Sequence, residues 1–74
     1  MDKNQKLRVL YSEEGITTRT EFLKLYGGES AVPAICSNEA CDYTDLMEPD
    51  QDEGWCPECE TNTLVSGLIL LGVI

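Results

Sequence analysis

Four cysteines in two pairs carry most of the chemistry that this sequence offers. Four residues separate Cys36 from Cys41, two separate Cys56 from Cys59, and 14 residues lie between the pairs. The sequence has no other cysteine and no histidine. Four thiolates arranged in two pairs are a common ligand set of tetrahedral structural metal sites, and sulfur ligands suit zinc well. We therefore predict that Cys36, Cys41, Cys56 and Cys59 bind one zinc ion.

Two other uses of the cysteines remain open. The segment Cys56-Pro57-Glu58-Cys59 resembles the dithiol motif of disulfide oxidoreductases, although no βαβ pattern surrounds it. Structural disulfides are the second alternative. The N-terminal stretch is polar and lacks the apolar segment of a signal peptide. We therefore expect a cytoplasmic protein, and stable disulfides are rare in that compartment.

The same residues argue against catalysis. A catalytic zinc keeps one coordination position open, whereas four thiolates close the shell, and no histidine is present to act as a base near neutral pH. We expect no enzymatic activity. A group of acidic residues lacks the ordered spacing of a calcium-binding loop, so we interpret it as a solvated face: Asp42, Asp45, Glu48, Asp50, Asp52 and Glu53.

Charge is unevenly distributed along the chain. The formal net charge is −9, yet residues 1–24 contain all five Lys and Arg residues, and residues 25–74 contain ten acids and no base. An acidic surface repels phosphate backbones, because nucleic-acid binding depends on Lys and Arg contacts. We therefore predict a protein partner with a basic surface, and we expect neither nucleic acid nor a membrane as partner.

A short helix is predicted near the N-terminus. Thr18 and Glu21 have the spacing of a capping box, apolar side chains follow, and Gly27-Gly28 supplies a stop signal. The helix should cover residues 19–26. Residues 1–11 fit neither a helix nor a strand clearly, and we expect a loosely held arm whose first residues are disordered.

Three strands are predicted after this helix, over residues 31–35, 43–47 and 61–65. Pro33 should either place the first of them at a sheet edge or lie at the start of that strand, because proline cannot donate a ladder hydrogen bond. The apolar tail that starts at Ser66 is too short to span a membrane. We favour a two-turn helix capped by Ser66 over a continued strand. An apolar segment needs cover, which the helix at 19–26 or a second copy of the chain could supply, the latter as a homodimer.

The residues around the cysteines resemble a known class. Cys41-Asp42-Tyr43 and the later Gly54-Trp55-Cys56-Pro57-Glu58-Cys59 are similar to the zinc-ribbon and rubredoxin-like knuckle domains, over about residues 31–66. The chain also resembles small zinc-ribbon proteins of bacteria and their phages. The resemblance implies a three-stranded antiparallel sheet pinned by two metal knuckles. It also implies that Tyr43 and Trp55 pack beside the site.

The sequence departs from that class at specific places. Glycine often follows the second cysteine of a knuckle, whereas Asp42 and Glu60 stand there. The four-residue first spacer and the 14-residue interval differ from those of electron-transfer rubredoxins, so iron is the weaker alternative to zinc. Nucleic-acid binding, a common use of the fold, is the alternative function.

Together these observations predict a small, metal-stabilised α+β domain, a zinc ribbon with a three-stranded antiparallel sheet and a short N-terminal helix. An arm and helix at 1–28 should precede a zinc-ribbon module at 29–74. We expect this structural zinc domain to act through protein–protein interaction, with a regulatory role as one form of it.

Overall fold

The computed structural model describes residues 2–73 as a small α+β domain. Its elements, in chain order, are helices α1 (Lys3–Glu14) and α2 (Arg19–Tyr26), strands β1 (Val32–Cys36), β2 (Thr44–Met47), β3 (Gly54–Cys56) and β4 (Thr61–Ser66), and helix α3 (Gly67–Leu70). No helix in this range is long and apolar enough to cross a membrane.

The sheet has four strands, not the three that we predicted. Their order is β2-β1-β4-β3 and every neighbouring pair is antiparallel. The additional strand is β3, which has only three residues and is too short to show an alternating pattern in the sequence. The sheet is curled: a methyl group placed on Gly54 of β3 would lie 2.7 Å from the Met47 sulfur of β2, at the opposite edge.

Strand β1 is interior rather than at the sheet edge, and Pro33 is its second residue, so of the two positions predicted for Pro33 the structure has the strand start. The Ser37 amide donates to the Thr63 carbonyl of β4, and amides alternate in direction along a strand. The Pro33 nitrogen therefore also points to the β4 side. Pairing with β4 ends at the Ala34–Ser66 pair. Pro33 lies just beyond this pair, so its missing N–H removes no ladder hydrogen bond to β4.

Helix α1 stands where we expected a loosely held arm with disordered first residues, so that expectation was wrong for residues 3–11; Met1 lies outside the described residues. Asp2 and Gln5 form a reciprocal capping box at its start, and Gly15, with φ of 69°, ends it in the left-handed conformation. A capping box satisfies free amides at a helix N-terminus. The helix also buries Leu10 completely. Local caps and one buried face together explain why this segment is helical.

Helix α2 has the predicted limits. The Thr18 side chain accepts a hydrogen bond from the Glu21 amide at 3.2 Å, which confirms Thr18 as the N-cap. The Glu21 carboxylate in turn accepts from the Thr17 and Thr18 hydroxyls. Phe22, on the inner face, is fully buried and its ring centroid lies 5.2 Å from that of Tyr26.

The C-terminal tail is helical and capped as predicted, but α3 has four residues rather than two turns. The Ser66 hydroxyl accepts from the Leu68 amide, and Leu68 is buried in a cluster with Leu10 and Phe22. Helices α1 and α2 therefore cover the start of the tail. Ile74 lies outside the described residues.

Two apolar clusters result. The helix-side cluster contains Leu10, Ile16, Phe22, Val32, Ile35 and Leu68. The cysteine-side cluster contains Ala34, Cys36, Cys56 and Leu64, with Cys41, Tyr43, Met47 and Cys59 packed against it. The cysteines are therefore part of the cysteine-side cluster and help to form the core of the domain.

Candidate metal centre

The fold brings all four predicted ligands together. The Sγ atoms of Cys36, Cys41, Cys56 and Cys59 all lie within 4.8 Å of one another. Two separations, Cys36 to Cys59 and Cys41 to Cys56, are 3.8 Å. In a regular tetrahedron with metal–sulfur bonds of about 2.3 Å, neighbouring sulfurs lie about 3.8 Å apart. The four thiols therefore have the spacing needed to hold one metal ion.

The same distances bear on the disulfide alternative. A disulfide requires about 2.05 Å between sulfurs, and all four cysteines are free thiols in the structure. Each of the two 3.8 Å pairs joins a cysteine of one loop to a cysteine of the other. The arrangement is that of a shared centre between two loops, not of two separate dithiols.

Strands supply one cysteine of each pair and loops supply the other. Cys36 ends β1 and Cys56 ends β3, and both are buried. Cys41 and Cys59 lie in the loops that follow and are half-buried. We call residues 36–41 the first cysteine loop and residues 56–59 the second cysteine loop. Because β1 and β3 both flank β4, the sheet itself brings the two loops together.

Backbone hydrogen bonds close both loops. In the first, the Cys41 amide donates to the Asn38 carbonyl at 3.1 Å, and after the second the Glu60 amide donates to the Cys56 carbonyl at 2.7 Å. Glu60 adopts φ of 55°, the left-handed region that glycine occupies more easily. The geometry expected of a glycine is thus kept at Glu60, whereas Asp42 retains an ordinary negative φ.

Hydrogen bonds also reach the sulfurs. Burial raises the pKa of the Cys36 thiol, but hydrogen bonds from the Thr63 hydroxyl, at 3.1 Å, and from the Asn38 amide outweigh it and lower the pKa to about 7. Thr63 is itself hydrogen-bonded to Thr61 at 3.0 Å. Groups that stabilise a thiolate in this way favour a metal ligand.

The Cys41 thiol behaves in the opposite way. The Tyr43 amide lowers its pKa, but burial and the neighbouring thiols Cys59, Cys36 and Cys56 raise it to about 12. Hydrogen bonds with the neighbouring thiols thus favour the protonated form of Cys41, and four thiolates at this spacing would in addition repel one another. A divalent cation among the sulfurs would remove that repulsion, so the donor set fits a metal ion electrostatically.

Sequence reasoning missed two residues beside the cysteines. Thr63 lies on β4, and no local pattern connects it with Cys36. Lys6 lies on α1 and is only 3% exposed, and its ammonium donates to the carbonyls of Asn38 and Cys41. Its position four residues before Leu10, on the same helical face, was the available signal, but residues 1–11 were not interpreted as a helix.

The two aromatic residues predicted beside the site behave differently. Tyr43 is half-buried and packs against the cysteine-side cluster, as expected. Trp55 is 56% exposed, between the buried residues Gly54 and Cys56. Side chains alternate across a strand, so the two neighbours occupy the inner face and the indole is directed outward. The expectation that Trp55 packs beside the site was wrong.

An open cleft adjoins the centre. Its volume is about 520 Å³, and it is lined by Asn38, Ala40, Cys41, Asp42, Tyr43, Glu58 and Cys59. The carboxylates of Asp42 and Glu58 are exposed. Every acid of the predicted solvated face, from Asp42 to Glu53, is exposed as well.

No protein-family model matches the chain, and comparison with curated proteins and with solved structures finds no match either.

Proposed function

We propose that this protein is a structural zinc domain of the zinc-ribbon class that acts by binding another protein. The observation that carries the metal assignment is the position of the four cysteine sulfurs, all within 4.8 Å of one another. Two separations across the cluster, at 3.8 Å, equal the edge of a tetrahedral zinc–thiolate site. The ligands are Cys36, Cys41, Cys56 and Cys59, and the stoichiometry is one ion per chain.

The metal has a structural role in this proposal. Four thiolates complete a tetrahedral shell, which leaves no position for a substrate or a reactive water. Two of the four sulfurs belong to fully buried residues in the cysteine-side core. A small domain has little net stability from its core alone, so zinc bound within this core would stabilise the fold directly.

Metal content is the first test. Native mass spectrometry with elemental analysis of the purified protein should return one zinc ion per chain. Replacement Cys56→Ser should lower zinc affinity, so that the purified variant retains less than one ion per chain, because three thiolates and a water hold the ion less tightly than four thiolates. Ser37→Ala, an exposed change inside the first cysteine loop, is the matched control and should retain one ion.

Three results would contradict one zinc ion bound by the four cysteines. Four reactive thiols in the purified protein and no bound metal would overturn the zinc assignment. A red protein with visible absorption and one iron per chain would favour the electron-carrier alternative. A Cys56–Cys59 disulfide that forms reversibly without any metal would favour the redox dithiol.

The partner is assigned from charge. Residues 25–74 contain ten acids and neither Lys nor Arg, and four thiolates on a divalent ion add two further negative charges. The cleft beside the site combines the exposed carboxylates of Asp42 and Glu58 with the half-buried ring of Tyr43. Such a surface favours a segment that carries Lys or Arg side chains, through charge complementarity. A homodimer is the alternative partner, although Leu68 of the tail already packs in the chain's own core.

A basic peptide tests this part of the proposal. A peptide of alternating lysine and glycine should bind at low salt, and Asp42→Asn with Glu58→Gln should weaken binding about tenfold. The control pair Asp50→Asn with Asp52→Asn removes equal charge away from the cleft. Equal weakening by both pairs would contradict a role of the cleft, and no binding at low salt would contradict a basic partner.

Nucleic-acid binding is less well supported by the arrangement of the basic residues. It would require Lys3, Lys6, Arg8, Arg19 and Lys24 to form one exposed surface, and Lys6 is buried beside the cysteines. A mobility-shift assay on DNA and RNA at low salt is the direct check. A shift that falls steeply with added salt would restore this alternative.

A further inference from the structure

Lys6 stands out as the one charged side chain that is buried in the described part of the chain. A buried ammonium is unfavourable unless hydrogen bonds satisfy it. Its Nζ donates to two carbonyls, those of Asn38 and Cys41. Both belong to the first cysteine loop, more than 30 residues further along the chain. Helix α1 thus places a positive charge directly on the loop that presents half of the metal site.

The two carbonyls occupy central positions in that loop. The Asn38 carbonyl also accepts the Cys41 amide, the bond that closes the loop. The second carbonyl belongs to the ligand Cys41 itself. By holding the Asn38 and Cys41 carbonyls together, Lys6 constrains the position of the ligand Cys41 within the first cysteine loop.

The charge of Lys6 also supports a role for this residue at the metal centre. Four thiolates around a divalent ion have a net charge of −2, and the ammonium of Lys6 is next to one of the four ligand residues. The other four basic side chains are exposed on the surface. A nearby positive charge stabilises a thiolate centre, and Lys6 is the basic residue positioned to supply it.

We propose that Lys6 is a positioning residue of the metal centre and that it couples the packing of helix α1 to metal occupancy. The proposal rests on the metal binding proposed above. Metal binding orders the first cysteine loop, the ordered loop presents two carbonyls to Lys6, and Lys6 holds α1, with Leu10, against the core. The coupling is reciprocal: a docked α1 raises metal affinity, and a bound metal protects α1 from opening.

Three variants separate this role from a general loss of stability. Lys6→Met keeps an unbranched apolar stem but removes the ammonium. Leu10→Ala loosens α1 on the same face without touching the loop. Lys3→Met removes an exposed charge from the same helix. The full chain is used throughout, with zinc and with cobalt(II), whose visible spectrum reports sulfur ligation.

Lys6→Met should lower zinc affinity about tenfold or more in competition with a chelator, and should shift the cobalt–thiolate absorption bands. Leu10→Ala should lower stability without shifting those bands, and Lys3→Met should match the parent protein. In hydrogen exchange, zinc should protect the amides of residues 3–14 in the parent protein and much less in Lys6→Met.

Two results would overturn the proposal. One is a Lys6→Met protein with unshifted cobalt bands and no more loss of zinc affinity than Leu10→Ala. The other is equal protection of the α1 amides with and without zinc in the parent protein, a readout that stands even if Lys6→Met does not fold. Failure of the parent protein to bind any metal would instead remove the proposed function itself.

Discussion

Glu60 shows how a single residue accommodates the geometry of the cysteine cluster. It has φ of 55°, and in residues 2–73 it is the only residue other than glycine with a positive φ. A side chain with a Cβ in this region costs about 1–2 kcal/mol. The turn is nevertheless kept, because the Glu60 amide must reach the Cys56 carbonyl to close the second cysteine loop.

Glu60→Gly should therefore raise the free energy of unfolding of the zinc-bound protein by about 0.5–1 kcal/mol, since glycine adopts this conformation without strain but loses more entropy on folding. Thermal unfolding monitored by circular dichroism provides the measurement. Asp42→Gly is the matched control, because Asp42 follows the first pair of cysteines in the same way but has a negative φ. It should lower stability instead, and a stability loss in both variants would contradict the strain argument.

At the scale of elements, the start of helix α3 is closely packed against its neighbours. Gly67 is buried where α1, α2 and β1 meet. A methyl group at this position would lie 2.5 Å from the Phe22 ring, 2.9 Å from a Leu10 methyl group and 3.0 Å from the Pro33 carbonyl oxygen. One of these contacts is with backbone, which cannot rotate away. The absence of a side chain therefore lets the C-terminal helix approach the other three elements.

Gly67→Ala should lower the free energy of unfolding by about 1–3 kcal/mol, the usual range for an overpacked core, although alanine is the better helix former. Urea unfolding of the zinc-bound parent protein and variant would measure this difference in the free energy of unfolding. Gly28→Ala is the control, because a methyl group there meets nothing within 4 Å. It should change stability by no more than about 0.5 kcal/mol, and a neutral Gly67→Ala would show that α3 can shift outward.

At the scale of the molecule, two cores share one sheet. The helix-side cluster and the cysteine-side cluster are built on neighbouring residues of β1, for example Ile35 and Cys36. A chain of 74 residues buries too little apolar surface for either cluster to be stable alone. Lys6 provides a further link, from α1 to the first cysteine loop. We therefore expect the chain to fold as one cooperative unit.

A strong chelator should consequently unfold residues 30–66, and with them the helices, because metal binding and folding are one event in small metal domains. In an NMR spectrum, the amide signals should collapse to the narrow range of an unfolded chain after zinc removal and disperse again when zinc is added. A chelated protein with complete zinc loss and unchanged dispersion would rule this out.

Several features follow from the sequence alone, because they depend on residue type and short spacing. The pairing of Cys36 with Cys41 and of Cys56 with Cys59 predicts the cluster that the structure assembles. The cap at Thr18 and its glycine stop predict α2 with its observed limits. Charge counting predicts the exposed acids between Asp42 and Glu53. Each of these signals lies within a few residues of the feature that it predicts.

Tertiary structure alone decided the rest, because those features join residues that are distant in the chain. Strand β3 exists through its pairing with β4, and Pro33 is tolerated in an interior strand because β4 ends beside it. The hydroxyl beside Cys36 comes from Thr63, and the cation on the first cysteine loop comes from Lys6, 32 residues before Asn38. The spacing of the cysteines thus indicated which four thiols come together, while the groups that position them are set by long-range packing, which leaves no local pattern in the sequence.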